Sequence, residues 1–289
     1  MSQRSHAARV ISQRQAQEAI LSPAPWLALA IGLLLGYLFV AAFVGAVDTS
    51  GFDPDANPLM HFTVSALTGA FGTTLVEKIF SQGPFPLAIA IAAGPYVLYL
   101  GIAAVLRFGL EKSTGVIELL SYGPSDGTSY VLASMLKDAV FSAAGLGAVL
   151  LFLLACSGVF NLSLGPLAVS SMPVLFLSVL ACLAWGNFCS ILASNAASAL
   201  ALFAAIMAFC LALLIGTYAI ASASVHGLVA VAAGVLQWLS PFFYASVSIR
   251  SFSHGNVLGF VAGLGLLALL SAALLAGSHV LVSRRGIRS

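Results

Sequence analysis

Ala139–Phe160, AVFSAAGLGAVLLFLLACSGVF, opens a stretch that runs to Ile249 without one Asp, Glu, Lys or Arg. A helix of about 20 apolar residues crosses a hydrocarbon core ~30 Å thick, so the stretch has room for several crossings. Punctuation divides it. The polar, Gly- and Pro-containing Asn161–Pro173 follows the first run, 174–192 ends at Ser194-Asn195, and 199–221 ends at Ser222-Ala223-Ser224. Gly227–Leu239 has only 13 residues before Ser240-Pro241. That is too short to cross, and it suits a re-entrant hairpin that enters and leaves on one side. Outward from this stretch, Trp26–Val47, Phe85–Leu106 and Val257–Leu281 complete a count of six spans.

Composition agrees. Of the 289 residues 61% are apolar and 7% charged, against about 25% charged in an ordinary globular domain. Mean hydropathy is +1.07. A water-soluble fold, a disordered chain and a nucleic-acid binder are excluded, because each needs far more charge. The four cysteines (Cys156, Cys182, Cys189, Cys210) lie in apolar runs without CxxC or Cys/His spacing, so neither a disulfide framework nor a zinc site is indicated. Trp26–Val47 exceeds the apolar region of a signal peptide and reads as an uncleaved span. The expectation is an all-α polytopic membrane protein.

Charge placement orients it. Arg4, Arg9 and Arg14 precede the first span, Arg107, Lys112 and Lys137 lie between the second and third, and Arg284, Arg285 and Arg288 follow the sixth. With six spans, these nine of the 11 Lys and Arg share one side, and only Lys78 and Arg250 fall opposite. By the positive-inside rule both termini are cytoplasmic. The organisation is then a cytoplasmic segment 1–24, a transmembrane domain 25–282 and a cytoplasmic tail 283–289, in an inner (plasma) membrane. His61–Val76 competes as a seventh crossing. Its four threonines and two glycines dilute it to about half apolar, and an amphipathic segment on the outer face is preferred.

The longest non-apolar stretch, Arg107–Asp138, holds four of the nine acidic residues: Glu111, Glu118, Asp126 and Asp138. Inside it Val116-Ile117-Glu118-Leu119-Leu120 is a short apolar patch, broken at Gly123-Pro124, after which Ser125 or Asp126 can cap a new helix. A second amphipathic stretch, Tyr130–Leu136, leads into the third span. The stretch therefore reads as helix, turn, helix along the inner face. A plain solvated loop is the alternative, but such a loop has no reason to carry an apolar patch, which a protein partner would bury.

Glu111-Lys112-Ser113-Thr114-Gly115-Val116-Ile117-Glu118-Leu119-Leu120 and the following Pro124-Ser125-Asp126 resemble the cytoplasmic loop of ABC-2 type transporter permeases. Ser22-Pro23 is similar to the Ser-Pro that opens the gliding-motility-like branch of that family. Ser190–Asn195 resembles its segment between the fourth and fifth spans, and Leu239-Ser240-Pro241 with Phe252 and Gly255 its outer hairpin. The likeness covers about residues 15–282 in order. One departure stands: members commonly place Gly-Lys where this chain has Ala133-Ser134, with Lys137 one turn later. The resemblance implies a transport subunit without catalytic residues, coupled through Gly115, Val116, Ile117, Glu118, Leu119, Leu120, Pro124, Ser125 and Asp126 to a separate ATP-binding cassette ATPase that docks there. ATP and Mg would sit in that ATPase and no cofactor in this chain. A second permease, identical or a paralogue, and membrane lipid are the other implied partners, and export the implied direction.

Other chemistry finds little support. Ser134-x-x-Lys137 spells a Ser/Lys nucleophile pair without an oxyanion device, the five histidines are scattered, and no Walker A loop occurs. Asn187 and Asn195 are candidates for a substrate path or for hydrogen bonds between helices. Gly32-x-x-x-Gly36 and Gly259-x-x-x-Gly263 permit close helix approach. A secondary transporter is the alternative function. It normally carries ionisable residues inside its spans, and the spans drawn above contain no acid. A non-transporting membrane scaffold is a third reading.

Overall fold

Proline marks where several helices begin. Its fixed φ and missing N–H suit the first helical position, and Pro23, Pro58, Pro166 and Pro241 each open one. The computed structural model describes residues 3–48, 51–71, 73–81, 83–113, 127–222 and 228–285. In chain order the helices are α1 (Gln3–Leu21), α2 (Pro23–Gly45), α3 (Pro58–Phe71), α4 (Thr73–Phe80), α5 (Phe85–Ser113), α6 (Gly127–Phe160), α7 (Pro166–Leu192), α8 (Ala196–Ser222), α9 (Leu228–Leu236), α10 (Pro241–Ser253) and α11 (Val257–Arg285). A two-residue antiparallel ladder pairs Val47 with Phe52 and Asp48 with Gly51. Six of the helices, α2, α5, α6, α7, α8 and α11, are long and apolar enough to cross a membrane. The chain is an all-α, multi-pass membrane protein.

The helices overrun the expected spans. α5 continues to Ser113 and α6 begins at Gly127, so Tyr130–Leu136 is the first part of a crossing helix. It does not lie along the membrane face. α7 begins at Pro166, with Pro173 inside it, where a polar connection to Pro173 was expected. Pro95 likewise lies inside α5. Membrane helices tolerate such prolines because neighbouring groups satisfy the freed carbonyls. The N-terminal segment, expected only as a cytoplasmic stretch, is helical from Gln3 to Leu21.

α3 and α4 have 14 and eight residues. At 1.5 Å per residue neither reaches the ~30 Å of a hydrocarbon core. Among the described residues no helix long and apolar enough to cross falls within 61–76. Phe52 and Phe80 stack at 5.0 Å, with Phe43 of α2 against both, and this ties α4 to the end of α2.

Close packing sets the bundle. α2 and α5 run antiparallel, with Gly32 against the backbone of Ala92 and Gly36 against the side chain of Ala92. Gly263 meets Ser248 and Gly259 meets Ser251, so α10 and α11 also run antiparallel. Both small-residue pairs named in the sequence are thus used within the chain. The α10–α11 reversal needs Gly255, whose φ of 72° places it in the left-handed region. Its N–H donates to Phe252 O and that of Asn256 to Ser251 O, closing a Schellman turn.

α9 and α10 are separated at Ser240, whose hydroxyl lies 3.5 Å from the carbonyl of Cys210, midway along α8. Tyr244, one turn on, packs with Val174 and Ala181 of α7 and Leu267 of α11, and donates a 2.6 Å hydrogen bond to Trp238 O. The break between the two short helices therefore sits at mid-depth of the longer ones.

A Cβ at Gly32 would collide with a backbone carbonyl, whereas one at Gly147 would meet nothing within 4 Å. Gly32→Ala should cost about 1–3 kcal/mol, as overpacking does, and Gly147→Ala nothing. Apparent melting temperatures of the two detergent-purified variants test this. Equal values would place the α2–α5 contact elsewhere.

Candidate functional site

One end of the bundle collects Ile11 of α1, Tyr130 and Val131 of α6, Ile191 of α7, and Leu275 and Val282 of α11 into one apolar cluster. The first helix, the last helix and both sides of segment 114–126 therefore share that end. Just inside it lies a buried charge cluster. Arg107 of α5 donates from Nη2 to Asp138 Oδ1 at 2.9 Å and from Nη1 to Oδ2 at 3.2 Å. Lys137 Nζ lies 2.8 Å from the same Oδ1. The Asp138 residue is 0% exposed, and Lys137 is buried with its ammonium 5.9 Å from the centroid of the Phe141 ring.

The arrangement follows from helix geometry. α5 and α6 pack antiparallel, as the 2.8 Å bond from the Tyr96 hydroxyl to Phe141 O shows, and this brings Arg107 beside Asp138. A fork of guanidinium donors matches a carboxylate bidentately. Around them is a polar layer. The buried Ser134 hydroxyl lies 3.3 Å from Gln15 Oε1 of α1. Ser190 of α7 donates to Val105 O of α5 at 2.7 Å. Four helices are thereby pinned together at this end.

Asp138 also changes the tally of acids. The candidate crossing helix Tyr130–Phe160 contains it, and Phe85–Glu111 contains Arg107 and Glu111. Asp138 lies within the helix, buried against Arg107 and Lys137 and not open to water. Charge alone had marked 138 as water-exposed.

Asn187 is buried and donates from Nδ2 to Met135 Sδ at 3.0 Å, a contact from α7 to α6. Asn195 is exposed just before α8. Its Oδ1 accepts from Ser198 N at 2.8 Å, so it caps its own helix. Gly115, Val116, Ile117, Glu118, Leu119, Leu120, Pro124, Ser125 and Asp126 lie outside the described residues. Among the described residues no group of three His, Cys, Asp or Glu could hold a metal, and the four cysteines are unpaired. Sequence reasoning missed the cluster. Its signal was available as Arg107 and the Lys137-Asp138 pair, one at the close of an apolar run and the other at the start of the next.

Because Asp138 has two cations, either alone keeps it paired. Arg107→Met and Lys137→Met should each cost little, whereas the double variant leaves a buried carboxylate unpaired, at about 3–5 kcal/mol. Melting temperatures of the singles and the double test this, and additive losses would show that the two cations do not share Asp138.

The chain matches no family model, and neither a curated protein nor a solved structure is similar to it.

Proposed function

We propose that this chain is the membrane-spanning subunit of an ATP-driven transporter, worked by a separate ATP-binding cassette ATPase that docks on segment 115–126. The observation that carries the reading is the clamp between α5 and α6. These two crossing helices bracket the segment, and Arg107–Asp138 ties them just inside it. A push on the segment would then move both helices together, which is what a coupling element requires. The likeness of residues 111–126 to an ABC-2 permease loop supports the same reading, as do six apolar helices, with residues of the first and last helices sharing the cluster. The break at Ser240-Pro241, at mid-depth beside Cys210, fits a hairpin re-entering from the opposite side. Export, a second permease copy and an inner-membrane location with cytoplasmic termini belong to the proposal. Fold-level likeness does not by itself give function.

Asp138 lends something to a secondary transporter, which needs ionisable groups in its spans. The carboxylate is already paired with two cations, so it offers no vacant charge for ion coupling. The ATP-driven reading is therefore preferred.

Docking is tested with the ATPase encoded nearest in the genome. Glu118 would contact a basic or amide donor, a charge-assisted hydrogen bond of roughly 1.5–3 kcal/mol. Glu118→Lys and Leu119→Asp should weaken co-purification or uncouple ATP hydrolysis, while Glu77→Lys, exposed on α4, should do neither. The purified complex should hold two permeases, this chain twice or this chain with a paralogue, and two ATPase subunits. Normal co-purification and transport by both loop variants would rule this segment out.

Orientation has its own measurement. Single cysteines at Asp53 and Ser113, in a cysteine-free background, should react with an impermeant thiol reagent from opposite sides, with Ser113 reached from the cytoplasm. Labelling from one side would overturn the six-span arrangement.

A further inference from the structure

The hydrogen bonds that cross between α5, α6 and α7 gather toward the charge cluster. Arg107 reaches Asp138, Asn187 reaches Met135, and Ser190 reaches Val105 O. The bond from the Tyr96 hydroxyl to Phe141 O lies one turn before Gly145. There the Tyr96 ring rests on α6, and a Cβ at Gly145 would collide with it. Beyond Gly145, among the described residues, α6 and α7 meet through apolar side chains, with Val149, Leu153, Ala168 and Val179 in one cluster.

Both helices have a weak point where this pinned part ends. Pro173 lies inside α7 and removes the donor that the Val169 carbonyl would use. Just before it, Ser170 and Ser171 return their hydroxyls to Leu167 O and Ala168 O at 3.1 and 2.7 Å, a pattern that bends helices. In α6, Gly147 stands mid-helix although a Cβ there would meet nothing within 4 Å. Packing does not ask for a glycine at 147, so its effect is on the backbone, which it loosens. The Met135–Asn187 contact sets the register of these antiparallel helices and brings Gly147 to within about one turn of Pro173. The far tip is fixed in itself. Asn161 takes a φ of 52° and Leu162 N donates to Ser157 O at 3.0 Å, which closes α6 in a Schellman turn.

We infer that residues 148–172 form a hinged hairpin that turns as one body about Gly147 and Pro173, opening the end of the bundle away from the charge cluster. One weak point alone would bend one helix away from its neighbour. Two at a common depth let both arms swing with their mutual packing kept. Near the tip the hairpin is held by Phe160 against Tyr37 of α2, with ring centroids 5.8 Å apart. This is a contact between rings, so parting it breaks no hydrogen bond, and apolar groups that enter lipid lose little. The use of this hinge in transport rests on the reading above, but its existence does not.

The test uses the purified full-length chain in lipid nanodiscs, without any ATPase. Spin labels at Val159→Cys on the hairpin and Leu258→Cys at the start of α11, both exposed positions, are read by pulsed electron resonance in a background lacking the four native cysteines. A second pair, Leu110→Cys and Leu136→Cys, also exposed, reads the pinned part. From Gly147 to residue 159 the lever is ~18 Å long, so a turn of about 10–20° moves the tip by about 3–6 Å. The 159–258 pair should show two populations separated by a comparable amount. Phe160→Ala should enlarge the minor one, and Gly147→Ala with Pro173→Ala should remove it. The 110–136 pair should keep one distance throughout. If the double variant cannot be recovered folded, Gly147→Ala decides alone, and it should shrink the minor population. A single distance that Phe160→Ala leaves unchanged, a minor population that survives stiffening, or a 110–136 pair that shifts in step with the first overturns the hinge. None of these results bears on ATPase docking at Glu118, and failure of docking leaves this measurement untouched.

Discussion

In hydrocarbon a backbone amide finds no water, so each peptide group must bond within its own segment. For this chain the consequence is a bundle of long helices held by shape and by the few polar groups that can reach one another. Lipid gives apolar side chains no reason to prefer a neighbouring helix, and close contact then depends on small residues. Gly32 and Gly36 against Ala92, and Gly263 against Ser248, are such contacts. They bring backbones near enough for dispersion to act along several turns. Serines support them: Ser178, Ser248, Ser271 and Ser278 each donate to a carbonyl four residues back. Their hydroxyls are satisfied inside the helix and need no partner across the interface.

The two ends of the bundle are built differently. At one, aromatic stacking of Phe43, Phe52 and Phe80 seats the short helix α4, and a Schellman turn at Gly255 sends α10 back into α11. At the other, an apolar cluster around Tyr130 and Val282 joins first and last helices, and charges are buried just inside it. Burying charge is favourable only where partners are geometrically ideal. The bidentate Arg107–Asp138 pair, with Lys137 on the same oxygen, meets that demand. A structural ion pair at this place ties the two helices that bracket segment 114–126, and the transport proposal grows from that placement.

Hydropathy sufficed for the six crossings because their signal is additive along the chain: about 20 apolar residues carry it wherever they fold. The lengths of α3 and α9 as non-crossing helices were legible for the same reason, and so was the break at Ser240-Pro241, since proline lacks the N–H that would continue a helix. Residues 115–126 remain readable only as sequence. The position of Asn195 beside a helix start was legible too, but not that its side chain caps α8.

What composition and spacing determined, then, is the solvent this chain lives in and the six helices long and apolar enough to cross it. What only the tertiary structure decided is where charge is tolerated inside. A sequence window scores Asp138 by its own transfer cost and ends the span at Ala139. The helix runs on through it because Arg107, 31 residues away, arrives at bonding distance once α5 and α6 pack antiparallel. Hydropathy is a sum over neighbours in sequence, whereas the stability of a buried charge depends on neighbours in space.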